Sequence, residues 1–222
     1  MSFPNRTEAG RRLALSLKDY RGQDVVVLAL PRGGVPVAAE VARYLDAPLD
    51  LLLVRKIGVP GHAELAMGAV IDGGRPIAVR NEDVIRFAKV SPADFSRGYN
   101  KALDELERRR ERYLAGRKSV PVAGRTVILV DDGIATGATV RAAIKGLRQR
   151  RPASIVLATP VAPPDTVASL RKIADTVVCL DQPALFRALS LHYDDFHQVE
   201  DAEVLDMLDR AQKQDAPSQA SR

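Results

Sequence analysis

The residues in this chain best placed to do chemistry are two adjacent carboxylates, Asp131 and Asp132, followed at once by the small-residue turn Gly133-Ile134-Ala135-Thr136-Gly137-Ala138-Thr139. Four aliphatics, Val127, Ile128, Leu129 and Val130, lead into the acids, and Val140, Ala143, Ile144 and Leu147 then recur at helical spacing. The pattern predicts strand, loop and helix. A turn at the mouth of a helix leaves backbone N–H groups without intrahelical partners, and its glycines remove side chains that would keep an anion away. Such a turn is a cradle for a phosphate. Carboxylates repel phosphate, so the two acids must face something else: ribose hydroxyls, or a metal ion bridging to a pyrophosphate. A sugar carrying phosphates satisfies both halves. The plainer alternative is a buried parallel strand ending in Asp, with a Thr-rich helix start behind it. Two common phosphate motifs drop out. Ala138-Thr139 stands where a P-loop needs Lys before Ser or Thr, and the turn lacks a Gly-x-Gly-x-x-Gly fingerprint.

Two further stretches carry charge next to glycine. Pro31-Arg32-Gly33-Gly34 follows the apolar run 24–30 and precedes a helical pattern over 33–45. It is either ordinary punctuation or a second turn offering bare amides and one Arg to an anion, at the edge where open α/β sheets bind ligands. The planar fork of Arg suits two oxyanions at once. The apolar run 49–54 ends in Arg55-Lys56, then Gly58-Val59-Pro60-Gly61 and His62, with Glu64 close behind. A basic pair before a Gly/Pro loop is what a lid over a polyanion needs, although solvated charges at a strand end, with Gly58 to Gly61 as a hairpin-like connection, would look the same. His62 and Glu64 are the groups on that loop suited to moving a proton near neutral pH.

Four aliphatics, two acids, two variable residues, a small residue and then Thr-Gly-x-Thr closely resemble the phosphoribosyl-pyrophosphate (PRPP) motif of type I phosphoribosyltransferases. The resemblance covers residues 24–181, and three motifs arrive in the family's order. It implies that Asp131 and Asp132 hold the ribose 2′- and 3′-hydroxyls and that Ala135, Thr136, Gly137, Ala138 and Thr139 hold the 5′-phosphate. It likewise makes Arg32, Gly33 and Gly34 the pyrophosphate loop. Arg55 and Lys56 match the start of the family's mobile catalytic loop, which opens with Arg-Lys in the orotate and adenine branches. The 6-oxopurine transferases carry Asp at the place of Ala135 as a proton acceptor for the base, so that mechanism is not available from this residue. The implied reaction is displacement of pyrophosphate from PRPP by a nitrogen nucleophile, a nucleobase being the usual acceptor. Mg²⁺ would be held mainly through PRPP itself, with Asp132 a further candidate ligand. A hood after the last core strands would hold the base, with Tyr193 or Phe196 stacked on it, unless these aromatics are core. Two rivals are a regulator that binds PRPP or a nucleotide without turnover, and a hydrolase in which water replaces the base.

The elements that must position these groups follow from apolar periodicity. Strands are expected at 24–30, 49–54, 66–72, 76–80, 127–130, 154–159 and 176–180, with Gly73-Gly74 as a turn; helices are expected at 7–20, 33–45, 91–116, 164–174 and 201–212. The alternation predicts an α/β fold, a doubly wound and mostly parallel sheet of the type I phosphoribosyltransferase kind with a small hood and a helical insertion. With 222 residues, 46% of them apolar, one domain is expected over 1–215. Its core is 24–181, its helical insertion about 82–118, its hood and last helix 182–213, and 214–222 a disordered tail. The long helix over 91–116 packs on the core or forms a homodimer contact, alternatives the sequence leaves open. The net charge of +5 suits anionic substrates, while few aromatics and scattered charge argue against nucleic acid. Cys179 lies in an apolar run as a small core residue. No stretch approaches the roughly 18 apolar residues of a membrane span, and a cytoplasmic protein is expected.

Overall fold

The structure, a computed structural model, describes residues 2–72 and 76–215. Its chain divides into two compact units, one of Met1–Leu51, Val120–Gly137 and Pro152–Arg222, the other of Leu52–Ser119 and Ala138–Arg151.

The first unit is built on five parallel strands: β1 (Val25–Ala29), β2 (Leu49–Leu51), β6 (Thr126–Val130), β7 (Ser154–Val161) and β8 (Thr176–Asp181), in the order β2-β1-β6-β7-β8. Every residue of β1 is buried, as its unbroken run of aliphatics requires of a strand covered on both faces. β1 and β6 are neighbours with Ala29 opposite Val130, and the Leu30 N–H donates to the Val130 carbonyl at 2.9 Å. That register places the exits of both strands, Pro31 and Asp131, side by side. α1 (Arg6–Ser16) packs on α2 (Gly34–Leu45), and α7 (Asp201–Asp215) packs on α2 and β2. α6 (Pro164–Leu170) lies against β8. The cap of α1 is Asn5, whose side chain accepts from the Glu8 N–H, so the helix begins one residue before the expected start at Thr7. The segment expected to form a hood, 182–213, is part of this unit, with a 3₁₀ turn at Leu189–His192 before α7. α7 runs on to Asp215, and 216–222 lie outside the described residues.

The second unit holds an antiparallel sheet, β3 (Val54–Val59), β4 (His62–Ile71) and β5 (Ile77–Arg80), with α3 (Glu82–Phe87), α4 (Pro92–Leu114) and α5 (Ala138–Gln149). α4 starts at a Ser91 cap whose hydroxyl accepts from the Asp94 N–H at 3.1 Å, with proline in the first turn. Its buried stripe is Phe95, Ala102, Leu106, Tyr113 and Leu114, laid on β3 and β4. The long helix therefore packs within its own unit. α5 also packs on this sheet, where Gly146 leaves no room for a side chain: a Cβ there would lie 3.0 Å from Ile71.

One local expectation is corrected and one open reading is decided. The run 49–54 is two strands, β2 and the start of β3, separated by Leu52 and Leu53. The stretch from Arg55 onward, left open between a lid loop and a hairpin-like connection, is a hairpin: β3 pairs with β4 through a turn at Pro60-Gly61, with register shifts at Ile57/Gly58 and Gly58/Val59. The Gly73-Gly74 turn lies outside the described residues. Otherwise the α/β reading, with a mostly parallel sheet and an added helical segment, holds. Among the described residues no helix is long and apolar enough to cross a membrane.

Candidate active site

At the carboxyl edge of the parallel sheet, the turn after β1 lies directly against the acids after β6. A Cβ built on Gly33 would sit 2.1 Å from Asp132 Oδ2, and one on Gly34 would sit 2.8 Å from the Val130 carbonyl oxygen. Both glycines are therefore required by close approach, which their sequence context alone does not show. α2 starts at Gly34 with Gly33 as its N-cap, and the Pro31–Arg32 peptide bond is cis. Arg32, one-third exposed, faces Glu200 at 3.8 Å and Asp201 at 3.6 Å, acids at the start of α7.

The two carboxylates differ in surroundings. Asp132 is buried, and its Oδ2 accepts from Arg6 Nε at 2.7 Å. Asp131 keeps some exposed surface, and its Oδ1 accepts from the Asp132 N–H at 3.0 Å. Desolvation, followed by the charge of Asp132, holds the Asp131 carboxyl well above its usual range. Tyr193 donates its hydroxyl to the Asp132 carbonyl from the far side, and burial raises its phenol above the ordinary value.

The turn that follows is braced from α6 and β7. Ile134 N–H donates to the Val161 carbonyl at 2.9 Å, and Thr166 Oγ1 donates to the Ala135 carbonyl at 2.8 Å. Gly137 has φ +73° and is buried, whereas Ala135, Thr136 and Ala138 are exposed. The left-handed backbone at Gly137 turns the chain into Ala138 and Thr139, the first two residues of α5.

The structure thus brings Arg32, Gly33 and Gly34 together with Asp131 and Asp132, and runs on through Ala135, Thr136 and Gly137. In the second unit, Arg55 on β3 is ion-paired with Glu105 of α4, Lys56 is exposed, and His62 is exposed at the start of β4. A cleft of about 800 Å³ between the β3–β4 hairpin and α4 is lined by Arg55, Lys56, Gly58, Arg97, Lys101 and Glu105. The Glu64 side chain lies outside the described residues.

Stacking by Tyr193 is corrected. The residue is 5% exposed and its ring meets Phe3 at 5.6 Å and Phe196 at 5.2 Å, so it is core and offers no face to a base. Phe196 is half-buried, and the Arg6 guanidinium covers it at 3.8 Å from the ring centroid. Arg6 is the residue that sequence reasoning missed, since the opening helix carried no chemical motif. One signal was available: a cation in the first turn of a helix opposes the macrodipole and needs a local reason. Among the described residues no group of three or more His, Cys, Asp or Glu side chains converges as a metal site.

The chain is similar to known proteins along most of its length. The family model described as phosphoribosyl transferase domain matches residues 2–194. Relatives from two strains of Mycobacterium tuberculosis, provisionally named phosphoribosyl transferases, are 49% identical over 211 residues, covering 95% of this chain and 47% of theirs. The chain therefore spans about half the length of these curated relatives. A Thermus thermophilus protein of known crystal structure superposes with a TM-score of 0.83 at 42% identity, covering 94% of this chain and 98% of that one. With the family match running through both compact units and the carboxylate pair set on the glycine turn, this chain belongs to the phosphoribosyl transferase domain family.

Proposed function

We propose that the protein binds Mg-PRPP and transfers its 5-phosphoribosyl group to a nitrogen nucleophile, a nucleobase, with release of pyrophosphate. The observation that carries this reading is the contact of Gly33 with Asp132: one turn of bare backbone for an anion lies against a carboxylate pair suited to sugar hydroxyls. In this reading Asp131 and Asp132 take the ribose hydroxyls, and Ala135, Thr136, Gly137, Ala138 and Thr139 take the 5′-phosphate. Arg32, Gly33 and Gly34 take the pyrophosphate, Arg32 exchanging its long contacts to Glu200 and Asp201 for the ligand's oxygens. The family match over 2–194 supports treating 1–215 as one phosphoribosyltransferase domain.

The donor set fits a Mg²⁺ carried largely by substrate and water, because among the described residues no cluster of acids converges and one oxygen of Asp132 is already engaged by Arg6. When bound, the ion would neutralise pyrophosphate charge, with Asp132 as its candidate protein contact. Charge separates as the bond from the anomeric carbon to pyrophosphate lengthens. Arg32, with Arg55 and Lys56 from the hairpin, stabilises the departing anion, while Asp131 and Asp132 fix the ribose for attack from the other face. His62 and Glu64 are the candidates for the proton lost by the nucleophile.

The test is pyrophosphate release from Mg-PRPP by purified protein against a panel of purine and pyrimidine bases. Acceleration by one base supports the transferase and names the acceptor. Release that needs no base would favour a hydrolase, and PRPP binding without release a regulator.

A further inference from the structure

Arg6 is 7% exposed and stands at the first position of α1, where a positive charge opposes the helix dipole. Burying a guanidinium costs several kcal/mol unless its charge and N–H groups are matched. Here they are matched at the candidate ribose site. Nε donates to Asp132 Oδ2 at 2.7 Å, Nη1 donates to the His197 carbonyl at 2.8 Å, and the plane lies over Phe196 at 3.8 Å. The two segments that carry these groups are laced together. Phe3 N–H donates to the His192 carbonyl at 2.9 Å, and the N–H groups of Asp194 and Asp195 donate to the Phe3 and Pro4 carbonyls at 2.8 and 3.0 Å. Tyr193, from the same lacing, bonds the Asp132 backbone. The side chain and the main chain of Asp132 are thus both gripped by segments remote from it in sequence.

We propose that Arg6 is a positioning residue for PRPP: it fixes the Asp132 carboxylate through Oδ2 and so presents Oδ1 in one orientation to a ribose hydroxyl. The proposal rests on the transferase reading of this edge. An unheld carboxylate beside Gly33 would be free to rotate, and its neighbour Asp131 would compete for any cation that replaced the guanidinium. With Arg6 in place, the sugar meets an acceptor already oriented and with its charge balanced.

The test compares two ligands on the full chain by calorimetry in Mg²⁺: PRPP, which carries the ribose, and pyrophosphate, which does not. Arg6→Gln should weaken PRPP at least about tenfold, the scale of one charge-assisted hydrogen bond, while pyrophosphate affinity stays within about twofold. Arg6→Lys, which keeps a charge for Oδ2, should recover part of the loss. In Asp132→Asn, adding Arg6→Gln should cost little more, because both changes act on one contact. Equal PRPP affinity in Arg6→Gln and the unaltered protein would overturn the proposal. Equal loss of both ligands would do so too, since it marks a purely structural role. Absence of PRPP binding by the unaltered protein would instead bring down the transferase reading, and this proposal with it.

Discussion

The carboxyl edge of the parallel sheet and the β3–β4 hairpin both carry residues expected to meet the same polyanionic substrate, yet they are built in opposite ways. At the edge, Asp132 is buried, bonded to Arg6 and in contact with backbone at Gly33, so the donors and acceptors are set before any ligand arrives. On the hairpin, Lys56 is exposed, Arg55 is half-exposed in a pair with Glu105, and the strand register slips at Gly58. In the proposed function, recognition of the sugar, which demands a fixed geometry, falls to the buried edge, and neutralising a departing anion, which demands charge that can move, falls to the exposed hairpin. Substitutions that break the buried contacts of Asp132 should therefore cost both stability and binding, and those on the hairpin should cost turnover alone.

The largest effect on stability is expected from Asp132→Ala. It leaves the Arg6 guanidinium buried without its partner, which typically costs about 3–5 kcal/mol, and denaturant unfolding would measure it. Gly33→Ala should follow, at about 1–3 kcal/mol, because its methyl group falls 2.1 Å from Asp132 Oδ2 and forces the turn off the acids. PRPP affinity should fall with it. A Gly33→Ala protein of normal stability and affinity would break the contrast between the two regions.

A pH series sharpens it. The Asp131 carboxyl is raised by burial and by the charge of Asp132, so its folded-state value lies above its ordinary 3.8 and the folded protein binds the extra proton. Stability from this group is fully present at low pH and falls as pH rises from the ordinary carboxylate range through the raised value. Asp131→Asn should flatten that decline and be neutral or stabilising at pH 7, while losing PRPP. Unfolding curves between pH 4 and 8 check this, and an unchanged slope would contradict it. The smallest effect on stability is expected from Lys56→Ala, within about 0.5 kcal/mol. Its pyrophosphate release should nonetheless drop by about tenfold or more, as for a lost electrostatic stabiliser.

The same contrast governs what the sequence could reveal. The stretch from Val127 to Val140 is legible because strand, acids, turn and helix are contiguous, and each has a local cause in β-branching, charge, glycine or periodicity. Arg6 was not legible, because its partner lies 126 residues away and no local pattern encodes that pairing. Tyr193 was left open between stacking and core for the same reason: an aromatic near a helix end could be a stacking platform until its hydroxyl is found on the Asp132 carbonyl. The hairpin was left open between a hairpin-like connection and a lid loop because Gly58, Pro60 and Gly61 are turn formers, and a strand carrying register shifts keeps no clean alternation. The parallel strands of the first unit were legible apart from the break after Leu51, which three successive leucines, Leu51 to Leu53, conceal.

The most direct test is a calorimetric titration of Mg-PRPP into the full chain and into the Asp131→Asn/Asp132→Asn variant, with folding of both verified by circular dichroism. Saturable one-site binding by the natural sequence, lost in a folded double variant, is the result expected if the carboxylate pair holds the ribose. Undiminished binding by the folded variant would show that PRPP sits elsewhere, and no binding by either protein would contradict the assignment of this edge as a PRPP site.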